Sequence, residues 1–126
     1  MSLNQVHFFV PVKGIVSNSF DSSSDHLGVD LVGEANSRIS SVLDGTVIFS
    51  GWTLETGYVM YIQHEADLIS VYKHNAELLK NVGDKVHAGE AIAIIGNTGE
   101  MTTGPHLHFE LWYEGTAVDP EEYIDF

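Results

Sequence analysis

Cysteine is absent from this 126-residue chain, which excludes disulfides, thiolate metal sites and a cysteine nucleophile together. Exported proteins need not carry disulfides, so the cellular compartment stays open. Basic residues are scarce: 5 Lys and Arg stand against 18 Asp and Glu, for a formal net charge of -13. So acidic a chain repels nucleic-acid phosphates and anionic lipid surfaces, and neither is expected as a partner. No run approaches the roughly 18 consecutive apolar residues of a membrane-spanning helix, so direct membrane insertion of this segment is not expected. The opening Met1-Ser2-Leu3-Asn4-Gln5 also lacks the basic and apolar regions of a secretory signal. Nor does a helical apolar period extend over ten or more residues anywhere, and low-complexity tracts and clean internal repeats are missing too.

What is present suits one globular domain. The chain is 44% hydrophobic and 18% charged, an ordinary balance for a packed core, and its length lets it bury about two thirds of its unfolded surface. Short apolar runs alternate with turn signals: Ile39 to Leu43, Asp44-Gly45, Thr46 to Ser50, Gly51, Gly57, Tyr58 to Gln63, Leu68 to His74. This is an antiparallel strand rhythm. His7 to Val12 reads as a short aromatic strand ended by proline, and Asn75 to Lys80 as a single helical turn. Val82 to Glu90 reads as a turn-rich hairpin leading into Ala91 to Ile95, a buried central strand. Gly96-Asn97-Thr98-Gly99 then turns the chain, the polar loop Glu100 to Gly104 follows, and Pro120 to Phe126 closes with a short turn or helix. The expected fold is all-β, a single compact antiparallel β-sandwich or rolled sheet with little helix. Residues 1–10 are expected to be a lead-in strand or an expression remnant, and 11–126 the domain proper.

The chemistry concentrates in two stretches. Read as a strand, Pro105 to Tyr113 places His106, His108, Glu110 and Trp112 on one side and Leu107, Phe109, Leu111 and Tyr113 on the other. Two imidazoles at i and i+2 then point the same way. In His26-Leu27-Gly28-Val29-Asp30, Gly28 and β-branched Val29 oppose a helix; a strand puts His26, Gly28 and Asp30 on one face, with room at Gly28 for an ion between the two ligands. A lone histidine is usually structural, and each pair alone could be coincidence. Together they offer three or four nitrogen and oxygen ligands, enough for a catalytic zinc site with a position left for water. His74 beside Tyr72 reads equally as a loop-edge residue. His7, His64 and His87 lack partners at useful spacing and are read as structural or surface residues. Glu110 is either a carboxylate supporting the histidines or a solvated strand residue, and Trp112 either a substrate platform or a partly buried aromatic.

Four stretches, His26-Leu27-Gly28-Val29-Asp30, Tyr72-Lys73-His74-Asn75, Val82 to Gly89 and Gly104 to Glu110, resemble in order and spacing the lysostaphin-like (LytM-type, β-lytic) metallopeptidases. The resemblance runs from about Pro11 to Tyr123. It implies a β-sandwich with an active-site groove across one sheet, one Zn²⁺ per chain bound by His26, Asp30 and His108, and His74 and His106 acting on the substrate and water. It further implies peptide bridges of bacterial peptidoglycan as substrate and a place in the cell envelope, periplasmic or extracellular, so that a leader, anchor or further domain is expected upstream of Asn4. Specificity between polyglycine and D-amino-acid cross-links would rest with the loops Thr53 to Gly57 and Glu100 to Gly104. The same scaffold also serves non-catalytic members that bind peptidoglycan or regulate another hydrolase; those have lost ligands, and the five positions here match. The hairpin Val82 to Ile95 also looks like lipoate- or biotin-carrying arms, but neither Lys80 nor Lys85 has the setting of a modifiable lysine. No feature specifies an oligomeric state.

Overall fold

Strand-forming runs separated by turns fold into a single antiparallel sheet in the computed structural model, which describes residues 3–96 and 104–126. Ten strands follow in chain order: β1 Gly14–Asn18, β2 Val29–Gly33, β3 Arg38–Ser40, β4 Gly45–Thr53, β5 Gly57–Gln63, β6 Leu68–Leu78, β7 Lys85–Val86, β8 Ala91–Ile95, β9 His106–Tyr113 and β10 Thr116–Val118. Helical structure among the described residues is confined to the 3-10 turns Leu3–Gln5, Ser22–Ser24 and Pro120–Glu122. The main order is β1-β2-β9-β6-β5-β4-β7, with β10 beside β9, and with β8 joining β3 to β6.

The alternation in β9 acts as the sequence implies. Leu107, Phe109 and Leu111 are fully buried and pack with Val29 and Leu31 of β2 and with Leu68 and Tyr72 of β6 in one core. Burying each of these large side chains contributes about 1.5–3 kcal/mol, so the apolar face fixes the register of β9 and with it the direction in which His106 and His108 point. A chain of hydrogen bonds pairs the polar groups around Tyr72, whereas the buried Asn75 Oδ1 has no partner among the described residues. The Val42 amide donates to the Tyr72 hydroxyl at 3.1 Å, that hydroxyl lies 2.8 Å from Ser70 Oγ, and Ser70 Oγ lies 2.7 Å from His64 Nε2. His64 Nδ1 donates to the Asp44 carbonyl at 2.7 Å, so this histidine is structural, as its isolation in the sequence implies.

Several local expectations are corrected. His7 to Val12 forms no strand; the segment is held by the Phe9 amide, which donates to the Val42 carbonyl at 2.9 Å, and by the Pro11 carbonyl, which accepts from the Ser40 amide at 2.8 Å. Asn75 to Lys80 makes no helical turn, because β6 runs on to Leu78 and pairs with β8. The stretch after Val82 does not pair with itself: Lys85 and Val86 join the edge of β4. Ala91–Ile95 is the buried strand expected, with Ile92 and Ala93 fully enclosed. The turn expected beyond Gly96 and nearly all of the loop Glu100 to Gly104 lie outside the described residues.

Candidate metal centre

The centre is assembled by the pairing of β2 with β9. Asp30 and His108 are direct cross-strand partners, and His108 Nδ1 lies 2.7 Å from Asp30 Oδ1. His26 lies ahead of β2, in an isolated bridge with Asp21, so the extended run His26 to Asp30 begins as a bend and becomes a strand only at Val29. Its ring is oriented from behind. A carbonyl can only accept, so the 2.8 Å contact between His26 Nδ1 and the Ser19 carbonyl makes Nδ1 the donor and leaves the Nε2 lone pair facing the centre. His26 Nε2 lies 3.1 Å from Asp30 Oδ2.

Gly28 has a different reason from the one its sequence position suggests. A Cβ there would lie 2.3 Å from the Phe109 carbonyl, 2.8 Å from Glu110 Cγ and 3.0 Å from His108 Nε2. The space is taken by β9 itself, and the missing side chain is what lets the His108 imidazole come up against Asp30.

His74 reaches the same face by a bulge. Strict alternation would put it with Ser70 and Tyr72, which are buried in the core. Tyr72 and Asn75 of β6 face Met60 and Tyr58 of β5, three residues of chain against two, so β6 carries one extra residue. The extra length is taken up at His74, whose φ of 66° is left-handed, with its amide donating to the Thr56 carbonyl at 2.8 Å. A bulge re-aims side chains in this way. The His74 ring ends 5.6 Å from that of His106 and 6.3 Å from that of His108, centre to centre. Gly96 makes the bulge possible, since a Cβ on it would sit 1.9 Å from the His74 carbonyl oxygen.

Behind His108 lies a network that the sequence left ambiguous. Glu110 is a supporting carboxylate, only 6% exposed. Its Oε2 takes Lys73 Nζ at 2.9 Å and lies 2.8 Å from His108 Nε2, while Oε1 accepts from Trp112 Nε1 at 2.9 Å. Trp112 is thus a partly buried aromatic bonded to that carboxylate. Lys73 had no signal of its own in the sequence beyond its place between Tyr72 and His74; its cross-strand pairing with His108 could be found only from the register. Burial alone would raise Glu110, but the bonds from His108, Lys73 and Trp112 outweigh it and pull the carboxyl down to about 2. Asp30 follows the same balance: burial pushes it up, and the His108 bond with the two nearby imidazoles holds it below the usual range. Burial would lower His108, yet the carboxylates on its two nitrogens raise it. His74 goes the other way, lowered first by burial and then by His106 and His108, which favours its neutral ring.

These charges indicate what the centre can hold. Ligand atoms of His26, Asp30 and His108 all lie within 4.8 Å of one another, and two imidazoles with one carboxylate form a donor set suited to zinc at a catalytic site. Glu110 is paired with Lys73 on the far nitrogen of His108, and Asp30 is the one carboxylate that meets both His26 and His108. The residues present fit one zinc ion per chain. His74 and His106 stand beside this triad and outside it.

Comparison with known proteins gives the same picture. Residues 24–120 match the model of Peptidase family M23. The murein hydrolase activator NlpD of Escherichia coli is 35% identical over 116 residues, covering 90% of this chain and 30% of its own length, so the chain spans less than a third of that relative. Among solved structures, a putative M23 peptidase of Pseudomonas aeruginosa superposes with a TM-score of 0.84 at 28% identity, over 95% of this chain and 51% of the other. The catalytic domain of the antimicrobial peptidase lysostaphin from Staphylococcus simulans gives a TM-score of 0.71 at 26% identity, over 87% of this chain and 89% of that domain.

Proposed function

This chain belongs to peptidase family M23, and we propose that it is a zinc metalloendopeptidase that hydrolyses peptide cross-links of bacterial peptidoglycan in the cell envelope. The observation that carries this reading is the placement of two further imidazoles, His74 and His106, beside a complete His26-Asp30-His108 triad. Residues 11–126 would be the hydrolytic unit.

Zinc held by the triad would supply Lewis acidity toward the scissile carbonyl and lower the pKa of a water. The remaining work belongs to the chain. His74, favoured as the neutral ring by its burial, is suited to accept the proton of the attacking water at a ring nitrogen and return it to the departing amine. His106 presents its imidazole on the same side, its Nδ1 lying 3.3 Å from the Gly104 carbonyl, and stands beside His74 where the attacking water and the scissile carbonyl would meet. Lys73 and Glu110 keep the His108 ring in one orientation, and the buried face of β9 holds both of its histidines against rotation.

The test is mass spectrometry of soluble fragments released from purified walls of defined cross-link chemistry, with and without chelator. Chelator and His108→Ala should each abolish release; full release by His108→Ala protein would sink the proposal. A second reading draws on the E. coli relative whose name is murein hydrolase activator. A protein of that kind would adsorb to walls, release nothing alone and raise release by an added hydrolase.

A further inference from the structure

A trough of about 300 Å³ opens on the solvent face of the sheet next to the metal centre. Strand register lays it out in rows. His108 pairs with Lys73; two residues further along β9, Glu110 pairs with Val71, which pairs with Tyr61; two further again, Trp112 pairs with Ile69. At a strand rise of about 3.3 Å per residue these last rows lie roughly 7 and 13 Å from His108. Val71 forms the buried floor, while Tyr61, Ile69 and Trp112 remain partly open around it. The middle of the trough is therefore apolar.

Its charges stand at the two ends. At the near end Lys73 and Glu110 neutralise each other at 2.9 Å. At the far end the exposed Asp67 lines the trough and has no ion-pair partner among the described residues. A ligand that fills this space meets an aliphatic channel first and an unpaired carboxylate last. An anionic side chain would be repelled there, and a short neutral one would leave both features unused.

We infer that the trough is a substrate subsite for the side chain of a diamino acid, its aliphatic stem lying along Val71, Ile69 and Trp112 and its ammonium group meeting Asp67. The subsite rests on the hydrolase reading for the identity of the peptide, and it is continuous with that site through Glu110, which bonds both His108 and Trp112. From the row spacing, the residue it receives lies roughly two to four positions from the cleaved bond in an extended peptide. This subsite would select among cross-linked peptides by charge and length.

The experiment is an NMR titration of the full chain at low ionic strength, without added metal, using acetyl-Ala-Ala-Lys-Ala-amide and its norleucine analogue. The reporter is the Trp112 indole N–H, assigned by comparison with Trp52→Phe. The lysine peptide should shift this resonance with a dissociation constant at least threefold lower than the norleucine peptide. In Asp67→Asn the ratio should fall to about one; asparagine tolerates the left-handed φ of 60° that Asp67 adopts, and a change of one charge in a net -13 leaves the overall field nearly the same. Equal affinities in the wild type, an unchanged ratio in Asp67→Asn, or no shift of Trp112 with either peptide would each overturn the subsite. No bond is cut in this titration. Loss of wall hydrolysis with lysine preference intact would therefore overturn the hydrolase reading alone.

Discussion

Lys73 and His74 are adjacent in β6, yet both side chains serve the face of the sheet that carries His108. Lys73 bonds the carboxylate behind that ring, and His74 lies 6.3 Å from it, centre to centre. A regular strand would have sent one of them into the core. The left-handed bulge at His74 prevents this, and because that conformation disfavours a residue with a Cβ, the chain keeps a strained position at the imidazole proposed above to move the proton.

His74→Gly separates strain from function. Glycine adopts the left-handed conformation freely, so relief of strain should offset the lost ring contacts and leave stability within about 1 kcal/mol of wild type. Fragment release should fall about 10²-fold or more, the usual scale for loss of an acid–base group. Urea denaturation and wall hydrolysis, measured on the same preparation, check both halves. Activity near that of wild type would remove His74 from proton transfer.

Gly28→Ala should cost stability, because the methyl group overlaps the Phe109 backbone carbonyl, and should also weaken the metal site. The new methyl group would press on the Phe109 carbonyl and on the His108 ring, moving a ligand from its place. Changes of this kind beside a ligand typically cost 10–100-fold in metal affinity. A competitive chelator titration measures the loss, and unchanged affinity would show that the ring has room to yield.

Zinc should stabilise the folded chain through its ligands. At a free concentration about 100 times the dissociation constant, binding to the native state alone is worth about 2.7 kcal/mol. The thermal midpoint should therefore rise with added zinc in the wild type and in His106→Ala, which leaves the triad complete, and should stay fixed in His108→Ala. A zinc-dependent rise in His108→Ala would refute the assigned ligand set.

Stability should fall with acid because of His64. Burial lowers its pKa below the ordinary 6.5, against the bond to the Asp44 carbonyl. The unfolded chain then binds more protons than the folded one between the depressed value and 6.5, so the slope of stability against pH is positive there. This contribution is fully present above about 6.5 and is lost as pH drops through that window. Denaturant midpoints measured from pH 7.5 to pH 5 should decline less steeply in His64→Gln, which cannot titrate; identical slopes would place the acid sensitivity elsewhere.

Much of this could be read directly from residue order. Alternation in His106 to Tyr113 specified a buried face and a polar one, because a period of two depends on the chain alone once a strand forms. Gly28 and β-branched Val29 opposed a helix between His26 and Asp30, and the absence of cysteine limited the metal ligands to nitrogen and oxygen. The short apolar runs between turns were enough for an all-β chain. Other features needed the folded sheet. His74 turns to the active face only because β6 gains a residue against β5, and a bulge is defined by its partner strand. Glu110 could be solvated or buried until Lys73, His108 and Trp112 closed around it. Gly28 is small because β9 crosses it, and β9 lies some eighty residues away in the chain. Local sequence thus set which faces and donor types exist, while strand pairing, which joins residues far apart in the chain, decided which of them meet.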